Sequence, residues 1–300
     1  MKRKKGNRVK SKLLRTNWKL GFVEGGYEAV FADDKWVFHV VKNPYEDRWY
    51  GDPFILDLDE KNVYVLAEEY RFDHPKGRIA KVTIDRGKWK IIDARIILEL
   101  DTHLSFPNIL RHDGKVYVYP ENCRSGRMSI YEYDPLNERL MRVQTICDHP
   151  LWDSTITDAF GGRKLFGGMQ NACCIDIFDW DKETKRFIYT QSSEYDTKEY
   201  QLAGQMFEYK GEIFLPTQDG VESYGKGVIL RKVIEKNGKF DFVEVKRLKS
   251  PSRRWNQGMH TLNEYKGMII VDLKGYDNIV FNMFYTLYRP FRRYLKKIKK

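Results

Sequence analysis

Five segments of this chain share one layout: a short apolar run, a polar turn and a second apolar run. They are "DPFILDLDEKNVYVLAEE" from Asp52, "FPNILRHDGKVYVYPEN" from Phe106, "STITDAFGGRKLFGGM" from Ser154, "GQMFEYKGEIFLPTQD" from Gly204 and "HTLNEYKGMIIVDLKG" from His260. Aligned on Val63, Val116, Lys164, Ile213 and Ile269, they recur at spacings of 53, 48, 49 and 56 residues. The turns "HDGK", "YKGE" and "YKGM" are of the hairpin kind, with Gly available for positive φ. Two further β-type runs follow each of the first four hairpins, for example "GRIAKVTID" and "WKIIDARIIL" after the first. Val, Ile, Tyr and Phe dominate these runs, as they do in strands. Four strands about every 50 residues is the pattern of a β-propeller, one sheet per blade. The period-2 alternation excludes a solenoid of helix pairs.

The fifth repeat has no outer strands of its own before the chain turns basic. The N-terminal runs "WKLGFVEG" and "KWVFHVVKN" can supply them, closing the ring and removing an open sheet edge. The expected organisation is therefore all-β: a tail over 1–17, a five-bladed propeller over 18–277 closed by N-terminal strands, and a basic amphipathic segment over 278–300. In that last segment Val280, Phe284, Leu287, Phe291, Tyr294 and Ile298 recur at helical spacing.

Charge supports this division. The net charge is +11, yet residues 1–19 hold nine Lys/Arg and residues 289–300 hold seven, with no acid in either. Without them residues 20–288 carry −5. Basic ends on an acidic body suggest attachment to an anionic surface, and the aromatic, basic C-terminal segment points to a membrane interface. The body has no basic motif interleaved with aromatics, so nucleic acid is not the expected partner. The four cysteines show no CxxC spacing, so neither a metal site nor a cofactor is expected. No apolar leader or spanning segment is visible, and the expected location is cytoplasmic, peripheral at the inner membrane face.

Blade geometry sorts the polar residues. The start of strand 1, the end of strand 2 and the start of strand 3 lie on one face of a propeller. Asp52 starts strand 1 of the first blade, Glu68 ends strand 2 and Arg78 starts strand 3. The second blade repeats this with Asn108, Glu121 and Arg127. Asp153 opens the third blade, Gln205 and Gln218 belong to the fourth, and His260 opens the fifth. The axial mouth is expected to present Asp52, Glu121, Asp153 and His260, with Arg78 and Arg127 further out. Carboxylates, amides, an imidazole and nearby aromatics suit a carbohydrate. The arginines suit a phosphate or acidic sugar through bidentate hydrogen bonds. The expected ligand class is a glycan, sugar phosphate or nucleotide sugar.

The motifs "YGDPFI", "AEEY…KGRIA", "HLSFPNILRHDGKVYVYPEN", "WDSTI", "QLAGQMF" with "GEIFLPTQD", and "GMHTLN" resemble the propeller at the N-terminus of glucosamine inositolphosphorylceramide transferases and related bacterial proteins. The resemblance runs from about Trp18 to Lys274. It implies a role in assembling glycolipids or surface polysaccharides, without the transferase domain that follows the propeller in plant members. More distantly the chain is similar to five-bladed arabinanase- and xylosidase-type glycosidases. That similarity implies a general base at Asp52, puts Asn108 where those enzymes carry a pKa-tuning Asp, and leaves Asp153 or Glu121 as the acid. Three functions follow as alternatives: a propeller acting on a glycan or sugar-lipid precursor, an inverting-type hydrolase, or a non-catalytic glycan-binding scaffold.

Overall fold

The computed structural model describes residues 16–32, 36–169, 174–194, 201–221, 223–278 and 280. The basic segments at both ends, with Cys173 and Tyr200, lie outside the described residues. The chain opens with strand β1 (Thr16–Glu24), a short helix α1 (Gly26–Phe31) and strand β2 (Phe38–Val40). Blade 1 follows as β3 (Arg48–Leu58), β4 (Asn62–Arg71), β5 (His74–Asp85) and β6 (Lys90–Leu98). Blade 2 is β7 (Ser105–His112), β8 (Lys115–Glu121), β9 (Met128–Asp134) and β10 (Arg139–Cys147). Blade 3 is β11 (Trp152–Thr157), β12 (Lys164–Gly168), β13 (Cys174–Asp181) and β14 (Arg186–Glu194). Blade 4 is β15 (Phe207–Tyr209), β16 (Glu212–Asp219), β17 (Gly227–Lys236) and β18 (Lys239–Leu248).

Blade 5 is built from both ends of the chain. Its sheet order is β19 (Leu262–Tyr265), β20 (Met268–Tyr276), β1 and β2. The antiparallel β1–β20 register runs from Thr16↔Tyr276 to Glu24↔Met268. Five four-stranded sheets thus form the five-bladed propeller expected from the repeat. Closure by the N-terminal strands also holds. The second of them is only three residues long, and α1 occupies the span between the two.

The hairpin turns explain why the repeat is legible. Asp113–Gly114, Lys210–Gly211 and Lys266–Gly267 each place both central residues at positive φ, between 50° and 78°. That backbone matches the right-handed twist of the flanking strands. The apolar faces of the strands fill the spaces between blades. One such core joins Phe54, Leu66, Phe106, Ile109, Phe166 and Leu215, taken from blades 1 to 4. A second seals blade 5 against blade 1 through Phe22, Tyr50, Val65 and Ile270.

Hydrogen bonds stitch the inner strands into a ring. Asn108 Nδ2 donates to Ser154 O at 2.9 Å, from blade 2 to blade 3. Met206 N donates to Thr155 Oγ1 at 3.1 Å, from blade 4 to blade 3. Gln205 N donates to Asn263 Oδ1 at 2.8 Å, and Asn263 Nδ2 donates to Pro53 O at 2.9 Å. Phe106 N donates to Asp52 Oδ2 at 3.3 Å and completes the circuit.

Candidate functional site

Each of blades 1 to 3 starts its inner strand with a bulge, located at Gly51–Phe54, Ser105–Asn108 and Trp152–Ser154. A bulge adds a residue on one strand and re-aims its side chain. Asp52 occupies the first bulge at φ 47° and Phe106 the second at φ 44°, an uncommon conformation for residues other than glycine. Asp153 occupies the third. Two of the three bulges therefore deliver a buried aspartate to the axial mouth. Asn108 lies two residues beyond Phe106 and corresponds to Phe54 rather than Asp52. Its amide is used within the fold, with Ser154 O as acceptor and Ile109 N as donor.

Asp52 sits beside an imidazole held from behind. His260 Nε2 is 3.4 Å from Asp52 Oδ1, and His260 Nδ1 is 2.6 Å from Asp272 Oδ2. The Nδ1 contact is a close pairing of the imidazole with a buried carboxylate. Asp272 is fully buried on β20 and accepts backbone N–H bonds from His260 at 2.9 Å and Thr261 at 3.1 Å through Oδ1. Its Oδ2 accepts from Asp52 N at 3.2 Å. The His260 ring stacks on Trp18, with centroids 4.0 Å apart, and meets Tyr224 edge-on at 5.4 Å. Gly225 lets the tyrosine loop come this close: it has φ 65°, and a Cβ there would lie 3.0 Å from both His260 and Trp18.

Four further features complete the mouth. Glu121 accepts a hydrogen bond from Ser105 Oγ at 3.1 Å. Asp153 is hydrogen-bonded to Glu121 and accepts from Gln218 Nε2 at 3.3 Å. Glu68 lies behind them, its Oε1 3.4 Å from His103 Nε2. Gly77 N donates to His103 Nδ1 at 2.9 Å, so the neutral imidazole carries its proton on Nε2, facing Glu68.

Burial and mutual repulsion set the protonation. Burial pushes Asp52 up to about 6; the His260 charge pulls it down, and Asp272 and Glu121 push it up. Burial, then the charges of Asp52, Glu121 and Asp272, raise Glu68 well above the usual carboxylate range. Asp153 is raised well above it by burial and then by Glu121 and Asp52. Burial works against charge on both members of the other pair. It is outweighed at His260 by Asp272 and Asp52, which raise the imidazole, and at Asp272 by His260, which lowers the carboxyl. The mouth thus combines Asp52, pushed up only to about 6 beside His260, with Glu68 and Asp153, whose carboxyls burial and neighbouring carboxylates hold well above the usual range.

The other expected site residues are distributed differently. Gln205 donates to Ile109 O at 3.0 Å and links blade 4 to blade 2 across the axis. Arg78 binds Glu69 and, at 3.0 Å, Glu99. Glu69 is held between Arg78 and Arg48, so Arg78 belongs to an ion network on the rim. Arg127 is exposed. The sequence reading missed Asp272, Trp18, Tyr224 and His103. The repeat did mark Asp272, in "VDLKG", as part of an inner hairpin. Trp18 and Tyr224 reach the mouth only through ring closure and the β16–β17 loop. Asp52, His260 and Asp272 also offer ligand atoms within 4.8 Å of one another, a spacing that can hold a metal ion. A proton on His260 competes with that use.

A protein-family profile described as "Glucosamine inositolphosphorylceramide transferase 1, N-terminal" matches residues 38–268. The chain belongs to this family. It is 25% identical over 238 residues to glucosamine inositolphosphorylceramide transferase 1 of Oryza sativa subsp. japonica, covering 74% of this chain and 28% of that protein. It is 30% identical over 200 residues to the Arabidopsis thaliana protein of the same name, covering 61% and 25%. The chain thus spans about a quarter of the length of these relatives. Among solved structures it is similar to CoXyl43, a family-43 β-xylosidase/α-arabinofuranosidase from a compost microbial metagenome, crystallised with xylotriose. That likeness has a TM-score of 0.53 at 15% identity and covers 74% of this chain and 84% of the other. A family-43 enzyme from Xanthomonas citri complexed with xylose gives a TM-score of 0.52 at 11% identity, covering 76% and 87%. These structural likenesses establish the five-bladed fold.

Proposed function

We propose that this protein is a carbohydrate-active propeller whose axial mouth binds the sugar portion of a glycan or sugar-lipid precursor during glycan assembly. The observation that carries the reading is the convergence of Asp52, Glu68, Glu121, Asp153 and His260 from four blades into one mouth, with their protonation states split. Sugar hydroxyls both donate and accept hydrogen bonds. An ionised Asp52 accepts, while protonated Asp153 and Glu68 donate. Tyr224 offers a ring face at the rim. The family supports this reading, because its plant members are named for transfer of a sugar to a lipid.

A second reading, hydrolysis of a glycosidic bond, is favoured by that split. A carboxylate base beside carboxyl groups held neutral is the pairing that inverting hydrolysis requires. In that chemistry Asp52 takes a proton from the attacking water as it bonds to the anomeric carbon. Asp153, with Glu121 as its hydrogen-bonded partner, gives its proton to the departing oxygen.

Titration calorimetry against nucleotide sugars, sugar phosphates and xylotriose, with product analysis of the same mixtures, tests both readings. The expected result is that one sugar class binds and that Asp52→Asn weakens it at least about tenfold, the size of one charge-assisted hydrogen bond. Release of free sugar selects hydrolysis. Unchanged binding in both Asp52→Asn and Glu121→Gln would overturn the assignment of the mouth.

A further inference from the structure

The mouth face carries its charge unevenly. On the blade 1 side, Arg48, Arg71 and Arg78 are paired with Asp47, Glu69, Asp73 and Glu99. On the blade 4–5 side, Lys249 and Arg253 are exposed in the β18–β19 connection. Lys19 and Arg254 flank the Trp255 ring at 5.2 and 5.3 Å. Lys274 Nζ lies over Trp18 and Tyr224, at 5.2 and 5.4 Å. The exposed acids on this side, among the described residues, are Asp277 and Glu244, the latter paired with Arg247 at 2.7 Å; Asp219 is buried and paired with the same arginine at 3.0 Å. The same rim holds two apolar side chains out to solvent on the β16–β17 loop, Val221 at 69% and Tyr224 at 54% exposure.

The chain ends add to this side. Thr16 pairs with Tyr276, so the chain enters and leaves the propeller at the mouth face, beside this rim. Residues 1–15 carry eight Lys/Arg and residues 281–300 carry seven, with no acid in either.

We infer that the blade 4–5 side of the mouth face is a docking surface for an anionic lipid bilayer, which holds the mouth open towards the headgroup layer. Lysines and arginines near a bilayer are attracted by anionic headgroups, and exposed aromatic and apolar side chains enter the interfacial zone. The two kinds of residue stand together on this rim, and both basic segments leave from it. A nucleic acid fits less well. A phosphate backbone has no apolar partner for Val221. This inference goes beyond the sugar site proposed above and does not depend on it.

Vesicle sedimentation of the full chain, using phosphatidylcholine with and without phosphatidylserine, tests the surface. An environment-sensitive dye is placed at Val221→Cys on the mouth face or at Asp113→Cys on the opposite face, each in a background with Cys123→Ser and Cys173→Ser. Expected are binding to the serine-lipid vesicles only, its loss at high salt, and a blue shift of the dye at position 221 but not at 113. Lys249→Glu combined with Arg253→Glu lowers vesicle affinity about tenfold or more, from the attraction each basic residue contributes. Equal binding to neutral vesicles, a shift at position 113, unchanged affinity after charge reversal, or tighter binding to duplex DNA than to vesicles each overturns the inference. Calorimetric sugar binding by the same variants reports separately on the mouth, so failure of docking and failure of the sugar site are distinguishable.

Discussion

His260 and Asp52 face each other across the seam that closes the ring, with Nε2 and Oδ1 3.4 Å apart. One belongs to the approach to blade 5 and the other to the first bulge of blade 1. The β19–β20 hairpin sets Asp272 behind the imidazole, and the β1–β20 pairing joins that hairpin to the strands that lead into blade 1. The His260–Asp52 pair places a positive charge beside one carboxylate of the mouth, while burial first and then neighbouring carboxylates raise Glu68 and Asp153.

That pairing makes the ionisation of Asp52 dependent on His260. The imidazolium lowers the Asp52 carboxyl, so its removal raises it. His260→Gln is expected to move the Asp52 titration upward from about 6, followed by carbon-13 NMR of labelled aspartate carboxyls. A titration that stays in place or moves down would show that His260 is neutral in the folded protein.

The neutral carboxyl groups have a stability consequence with a definite sign. Asp52, Glu68 and Asp153 all have folded-state pKa values above their unfolded ones. Their contribution is fully present below about pH 4 and is lost as pH rises through the folded values, about 6 for Asp52. His260, also raised, adds to the same trend between its unfolded value near 6.5 and above. Asp272, lowered, acts only at the acid end, where falling pH removes its contribution. The melting temperature is therefore expected to fall as pH rises from about 4 through about 6, and to go on falling as the more strongly raised carboxyls lose their protons. Asp153→Asn should flatten that slope and raise the melting temperature at pH 8, as read by scanning calorimetry. A wild-type slope of the opposite sign contradicts the charge state described here.

The inter-blade amides are structural. Asn108→Ala strands the Ser154 carbonyl and the Ile109 N–H in a buried seam. The expected cost is about 1–3 kcal/mol in denaturant unfolding. Arg127→Ala, at an exposed position, should stay within about 0.5 kcal/mol. Equal effects from the two substitutions would remove the distinction drawn between seam and rim.

Gly77 is a packing constraint on the mouth. A Cβ there would lie 2.3 Å from Leu104 O and 2.7 Å from Glu68 Oε1. Gly77→Ala must push β5 from the β6–β7 connection and is expected to cost about 1–3 kcal/mol. It should also disturb the His103–Glu68 contact, visible as a shift in the His103 ring resonances. Wild-type stability with unshifted resonances would mean that the backbone here is looser than described.

Much of the fold was open to reading because a propeller repeats its instructions. The pattern "HDGK", "YKGE", "YKGM" fixes hairpins by the φ values that Gly and its neighbour adopt, which is a local property. The alternation of apolar residues fixes which face of each strand is buried, also locally. From these alone the blade number, the closure of blade 5 and the delivery of Asp52, Glu121, Asp153 and His260 to one face follow. What the chain writes once per blade could be compared with itself.

Partnership could not be read this way. Arg78 and Glu69 stand in register on β5 and β4, and only the packed rim shows that Glu69 is already held by Arg48. Asn108 falls opposite Phe54 and Phe106 opposite Asp52, because both inner strands carry the same bulge, and only the packed seam shows that the Asn108 amide is held by Ser154 and Ile109. Trp18 and Tyr224 carry no motif, and the repeat marks Asp272 only as a position in an inner hairpin. Asp272 reaches His260 from the neighbouring strand of the β19–β20 hairpin, Trp18 because ring closure joins residues more than 200 positions apart, and Tyr224 because the turn at Gly225 folds the β16–β17 loop inward. Local backbone preference and apolar periodicity are written along the chain, so the sequence by itself determined five blades and a polar mouth. Protonation depends on burial and on the distances between charges from different blades, and only the tertiary structure decided which carboxylate in that mouth is ionised.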